Sequence, residues 1–176
     1  MYSFKIKEAE EIIREYLRRH PNSKVAIKAL DGDCCAMMEL YEKFCGSQEF
    51  NGGPTEEALY IIYEAYNRKY PPAMIRLAQI EMCNDITYWP EGVMILIEAY
   101  NLGSQEAMIQ LKNDWNNSVK DIDAQWKVGD RLNKYEEFVL AFYYHYGIEV
   151  EKNEALALRL FKASANHGCD EAERFL

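Results

Sequence analysis

Leu140–Leu176 reads LAFYYHYGIEVEKNEALALRLFKASANHGCDEAERFL. Its spacing predicts a helix, a short loop, a second helix, a tight turn at Gly168 and the start of a third helix. Asn153 is placed to cap the second helix, and Gly168 to end it in the left-handed conformation that glycine accepts without penalty. Ala172 and Leu176 stand four residues apart, one helical turn, and so share a face.

The same skeleton recurs upstream. Ala36/Leu40, Ala73/Leu77 and Ala107/Leu111 repeat the pair of a small residue four before a large one. A small residue lets a neighbouring helix approach, and the Leu fills the space beside it. Gly32, Gly103 and Gly168 stand four residues before their Ala; at the remaining site Lys69 takes that place, ahead of Pro71-Pro72. A fifth copy registers on Leu140, with Glu136 where the Ala belongs. The anchors 36, 73, 107, 136 and 172 then drift between 29 and 37 residues apart. Periods of this size belong to helix pairs, each too apolar to stand alone, that bury their stripes by stacking.

Leu140-Ala141-x-x-Tyr144-x-x-Gly147, followed by Val150, Asn153, Ala155, Leu158, Phe161, Ala165, Gly168, Ala172 and Leu176, resembles the Sel-one-like repeat, a relative of the tetratricopeptide repeat. The resemblance covers the last third closely, residues 32–115 more loosely, and residues 1–31 and 116–135 weakly. It implies an all-α fold: a right-handed α-solenoid of stacked antiparallel helix pairs, the tetratricopeptide-like superhelix, with a role in holding other proteins. Members are often bacterial adaptors or scaffolds.

The length suits one domain of 1–176: N-terminal helices over 1–31 that cap the stack, then about four helix pairs over 32–176 with a terminal half pair. That half pair either closes the stack or offers its edge to another molecule, such as a second copy of the chain. The net charge of −9 argues against nucleic acid, which needs a basic face. It leaves room for a basic protein partner. The charge is uneven: residues 1–31 carry seven Lys/Arg against five Asp/Glu, and all of the excess acid lies beyond them. Five Cys, among them adjacent Cys34-Cys35, form no CxxC and do not follow the repeat period, so a reducing, cytoplasmic setting is expected. The first residues, MYSFKIKEAEEIIREYL, lack the apolar run of a signal peptide, and no stretch approaches a membrane span.

Along the chain, residues 4–19 form an amphipathic helix with Ile6, Ala9, Ile13, Tyr16 and Leu17 on one stripe. Helices are expected over about 23–30, 33–45, 55–69, 72–83, 90–102, 104–115, 119–133, 136–146 and 154–166, with half a pair from Asp170. Asn116-Asn117-Ser118 reads as a turn, and Val119, Ile122, Trp126, Val128 and Leu132 as inward-facing.

No residue pattern points to catalysis, a metal or a cofactor. His20, His145 and His167 lack ligand spacing. Cys34-Cys35 opens a helix, where a thiolate would be stabilised, but Cys is also a small core residue. Asn51-Gly52-Gly53-Pro54 lacks the Lys and Ser/Thr of a phosphate loop. Glu56-Glu57 and Glu149/Glu151 read as solvated charges. Tyr60, Tyr63, Tyr66 and Tyr70 follow helical spacing and read as packing between pairs.

By analogy with tetratricopeptide geometry, the residues two and five after each Leu turn to a concave groove. Two after are Glu42, Gln79, Asn113 and Phe142; five after are Cys45, Met82, Asn116 and His145. Such a lining suits a peptide or protruding loop, with amides bonding its backbone and an aromatic end holding an anchor. The expected function is therefore a non-enzymatic interaction module or adaptor binding a partner protein or peptide. The alternative is an immunity-type inhibitor that neutralises a toxin or enzyme by direct binding.

Overall fold

A computed structural model describes residues 6–45, 54–84, 87 and 89–176. Among them there is no strand, and the chain is all-α. The segment 46–53, with the Asn51-Gly52-Gly53 part of the glycine-rich loop, lies outside the described residues, as does the Ile6 side chain. Two compact units divide the chain, Met1–Leu77 and Ala78–Leu176.

The first unit contains α1 (Ile6–Arg19), α2 (Lys24–Leu30), α3 (Cys34–Cys45), α4 (Glu56–Asn67) and the opening of α5 (Pro71–Asn84). Helix α1 packs on α2 and α4, and α3 packs on the same two. Ala9 and Ile13 of the α1 stripe are buried, as are Met37, Leu40, Ile61 and Ile62. Tyr16 and Leu17 are half-buried, and the Tyr16 ring meets Phe44. Ser23, Asp33 and Thr55 cap α2, α3 and α4 by accepting from the backbone N–H three residues on.

The second unit contains the rest of α5, α6 (Trp89–Asn101), α7 (Gln105–Asp114), α8 (Lys120–Lys127), α9 (Lys134–Tyr146), α10 (Glu154–Asn166) and a terminal 3-10 turn, Asp170–Phe175. Helix α9 is central. It packs on α6, α8 and α10, and its eight consecutive residues Glu137–Tyr144 are all buried. A helix apolar on every side is stable only when surrounded.

Five helices, α2, α4, α6, α8 and α10, end in one way. The residue at 32, 69, 103, 129 or 168 has positive φ, and the next N–H reaches back to the carbonyl five residues earlier, as in Ser104 to Ala99 (3.1 Å) and Tyr70 to Ala65 (3.2 Å). This is the Schellman stop. At four of the five stops the Ala lies four residues on: Ala36, Ala73, Ala107 and Ala172 are all buried. Lys69 makes the same stop with φ +57°, so the backbone here imposes the conformation on a residue that does not favour it. After Gly129 three extra residues intervene before α9. Glu136 replaces the Ala because it is part of a capping box, its carboxylate accepting from the Asn133 N–H at 2.7 Å.

Three expectations are corrected. Asn116-Asn117-Ser118 does not turn the chain. Trp115–Val119 winds a π-helical turn between α7 and α8, with Lys120 N–H bonded to Trp115 O, and the two helices do not fold back on each other. The stripe Leu111, Trp115, Val119 and Ile122 is buried without a break, and burying Trp and Val outweighs the modest helix aversion of Asn and Ser. Next, α8 stops at Lys127. Val128, expected inward, is therefore 79% exposed, whereas Leu132 is buried from the loop. Finally, Leu176 is 59% exposed. Residues 170–175 wind as a 3-10 turn of three residues per turn, in which positions i and i+4 no longer share a face.

Candidate functional site

In the second unit the anchors Leu111 and Leu140 are buried, and the positions two and five beyond them separate by environment. Asn113 and Asn116 are exposed on α7 and the π turn. The Asn116 amide donates to Lys112 O at 2.9 Å, satisfying a carbonyl beside the π turn. Gln79, half-buried on α5, donates to Gln110 Oε1 at 3.3 Å, and Gln110 donates to Asp114 Oδ1 at 3.0 Å. Asp114 Oδ2 is buried with no hydrogen-bond partner. Burial pushes this carboxyl up to about 6, against the pull of the Gln110 amide.

Met82 is half-buried and lies on α6: a Cβ at Gly92 would overlap its Cγ. The Trp89 indole N–H reaches Met82 O at 3.0 Å, which ties the two helices of the pair together. Phe142, expected on the groove, is fully buried. The terminal 3-10 turn packs on α10 and brings Phe175 to 6.3 Å from Phe142, within a cluster that includes Phe138 and Phe161; Tyr146 covers it at 4.6 Å. Phe142 is thus core, and α9 presents His145 and the 39% exposed Tyr146 instead. His145 Nδ1 lies 2.8 Å from Glu154 Oε2, and Lys152 lies 2.7 Å from the other oxygen. Those two contacts, Lys152 first, hold the Glu154 carboxyl below its usual range. Nearby, Lys112 pairs with Glu149 at 3.2 Å.

In the first unit Glu42 is exposed on α3 and Cys45 is half-buried at its end. Beside them, Arg76 donates to the Tyr41 hydroxyl at 3.1 Å. The Tyr41 phenol is pushed up to about 12, chiefly by burial. Cys34 is also raised by burial, so the helix start does not activate its thiol. The exposed Cys35 lies 3.0 Å from the Tyr70 hydroxyl. His167 caps α10 and lies 2.8 Å from Glu137. Among the described residues no group of three or more His, Cys, Asp or Glu is arranged to hold a metal ion, and no helix is long and apolar enough to cross a membrane.

Glu64, Arg68 and Asp114 were not singled out by the sequence reading. Glu64 lies within the buried run Ile61–Ala65, and its Oε1 accepts from Arg68 Nε at 2.8 Å while Oε2 is buried without a partner. The legible signal was a lone carboxylate inside an apolar run; for Asp114 it was the neighbouring Leu111 and Trp115.

This architecture defines the class: an all-α protein of helices joined by repeated Schellman stops, four of the five followed by a buried Ala. The chain is similar to a Sel1 repeat protein from Oxalobacter formigenes, with 14% identity and a TM-score of 0.41, over 98% of this chain and 74% of that one. It is also similar to a Sel1 repeat structure from Klebsiella pneumoniae subsp. pneumoniae, with 19% identity and a TM-score of 0.38, over 87% of this chain and 96% of that one. No protein-family model and no curated protein matches the sequence.

Proposed function

We propose that the protein is a non-enzymatic, cytoplasmic interaction module, with no cofactor, that holds a partner protein or peptide through the first helices of its pairs. What supports this reading is the division of labour on those helices. The Ala and Leu anchors are buried, while Glu42, Asn113 and Asn116 beyond them face solvent and Gln79 and His145 are half-exposed. Exposed amides such as Asn113 suit hydrogen bonding to an incoming backbone. Met82 is half-buried like Gln79, whereas Phe142 is fully buried and has no part in this surface.

The test is affinity capture with the purified full chain. A stoichiometric protein is expected to be retained, and Glu42→Lys or the pair Asn113→Arg/Asn116→Arg should weaken its retention about tenfold, the range of a hot-spot loss. Equal retention by every variant would remove these residues from the interface. Release of a converted small molecule by the chain alone would point to an enzyme.

A further inference from the structure

A cleft of about 140 Å³ opens between α1, α2, α3 and α4. Its apolar wall comes from Ile13, Ala29 and Met37, each at most 2% exposed. Its polar groups are Glu10, Glu64 and Arg68. Glu64 is only 7% exposed, and its Oε2 has no hydrogen-bond partner. An unmatched buried carboxylate oxygen is costly, and a single water, whose share of liquid volume is about 30 Å³, does not fill the space.

We propose that this cleft is a socket for one lysine side chain of a protein partner, with Glu64 Oε2 accepting from its ammonium group. The inference rests on the interaction-module reading and adds a ligand chemistry to it. Glu10 is paired with Arg14 and Glu64 Oε1 with Arg68, so the acceptor left unmatched in the cleft is Glu64 Oε2, which calls for a donor. The geometry favours ammonium over guanidinium. Arg68 already occupies Glu64 Oε1, and its Nη1 lies so near Gly32 that a Cβ there would meet it at 2.6 Å. One free oxygen remains, which satisfies a compact point charge but not the two-pronged fork of an arginine. Glu10, exposed and bonded to Arg14, also lines the cleft.

The experiment follows the Ala29 and Met37 methyl resonances of the full chain during titration with acetyl-Gly-Lys-Gly-amide. Saturable shifts are expected. The same peptide with norleucine for lysine should bind at least about tenfold more weakly, since it leaves the carboxylate unmatched. Glu64→Gln should cost a similar factor. Glu10→Lys, an exposed change that leaves the core intact, should weaken binding about threefold or more and keeps the test decisive if Glu64→Gln does not fold. Absence of shifts, equal binding of the norleucine peptide, or unchanged binding by both variants overturns the socket. Binding of n-butylammonium as tight as the peptide assigns the cleft to free amines and overturns the partner side chain. Loss of the socket with protein capture intact leaves the interaction module standing; loss of capture with lysine binding intact removes the module instead.

Discussion

At the scale of single residues, the helix stops and one buried acid carry the sharpest consequences. Gly103 has φ +99° and nothing within 4 Å of where a Cβ would stand. Gly103→Ala therefore isolates the backbone term, and the variant should lose roughly 1–2 kcal/mol in denaturant unfolding, with no packing contribution. Asp114 behaves oppositely to a salt-bridged acid. Its folded-state pKa of about 6 lies above the ordinary 3.8, so between those values the folded chain holds a proton that the unfolded chain releases. The group's contribution is most favourable below pH 3.8 and is lost as pH rises through 6. Asp114→Asn keeps the oxygen that accepts from Gln110 and cannot ionise. Discounted for partial solvent access, the variant should be more stable than the parent by about 1 kcal/mol at pH 8, with the difference shrinking toward zero below pH 4. A constant difference across that range would show that Asp114 does not titrate with folding.

At the scale of elements, the π turn shows what could be read in the sequence and what could not. The Ala/Leu pairs placed α3, α5 and α7, because burial at helical spacing is written directly in residue type. The glycine stops at 32, 103 and 168 were legible in residue type, whereas nothing in Lys69 itself announces its positive φ. Asn116-Asn117-Ser118 misled because turn composition is a local, weak preference, whereas Trp115 and Val119 answer to the core around α9. That competition leaves its mark in hydrogen bonding. The Tyr143 hydroxyl, buried and kept protonated by desolvation, donates to Leu111 O at 2.9 Å, one turn before the π segment. Tyr143→Phe should cost about 1–3 kcal/mol, the penalty of an orphaned buried carbonyl, and should speed amide exchange at Trp115–Val119 more than in α10. Phe142 and Leu176 were misplaced together. The periodicity of residues 170–176 does not reveal a 3-10 winding, and that winding both exposes Leu176 and lets Phe175 join the rings over Phe142. Glu64 and its cleft escaped because they depend on four helices meeting, which no single stretch encodes.

At the scale of the whole molecule, charge sets the last consequence. The chain carries 29 acidic against 20 basic residues, and the excess acid lies entirely outside the first 31. Several of its ion pairs, such as Arg14–Glu10 and Arg19–Glu15, are one-turn neighbours on the surface of α1, with side chains 43–72% exposed. Pairs of this kind contribute about 0–1 kcal/mol each, so screening them removes little. Like charges that repel across longer distances are affected more, because the screening length shortens from about 30 Å at 0.01 M salt to about 8 Å at 0.15 M. Repulsion opposes the compact state more than the expanded one. Raising sodium chloride from 0.01 to 0.15 M should therefore raise the melting temperature, by about 2–4 °C for each kcal/mol of repulsion relieved. A melting temperature that falls over this range would mean that attraction within the pairs, above all the part-buried Lys127–Asp123 and Arg68–Glu64, outweighs the repulsion. The same screening bears on the lysine socket: a cationic peptide should bind more weakly as salt rises, while the protein itself becomes more stable. Opposite salt responses of binding and folding separate attraction at Glu64 from any general loss of structure.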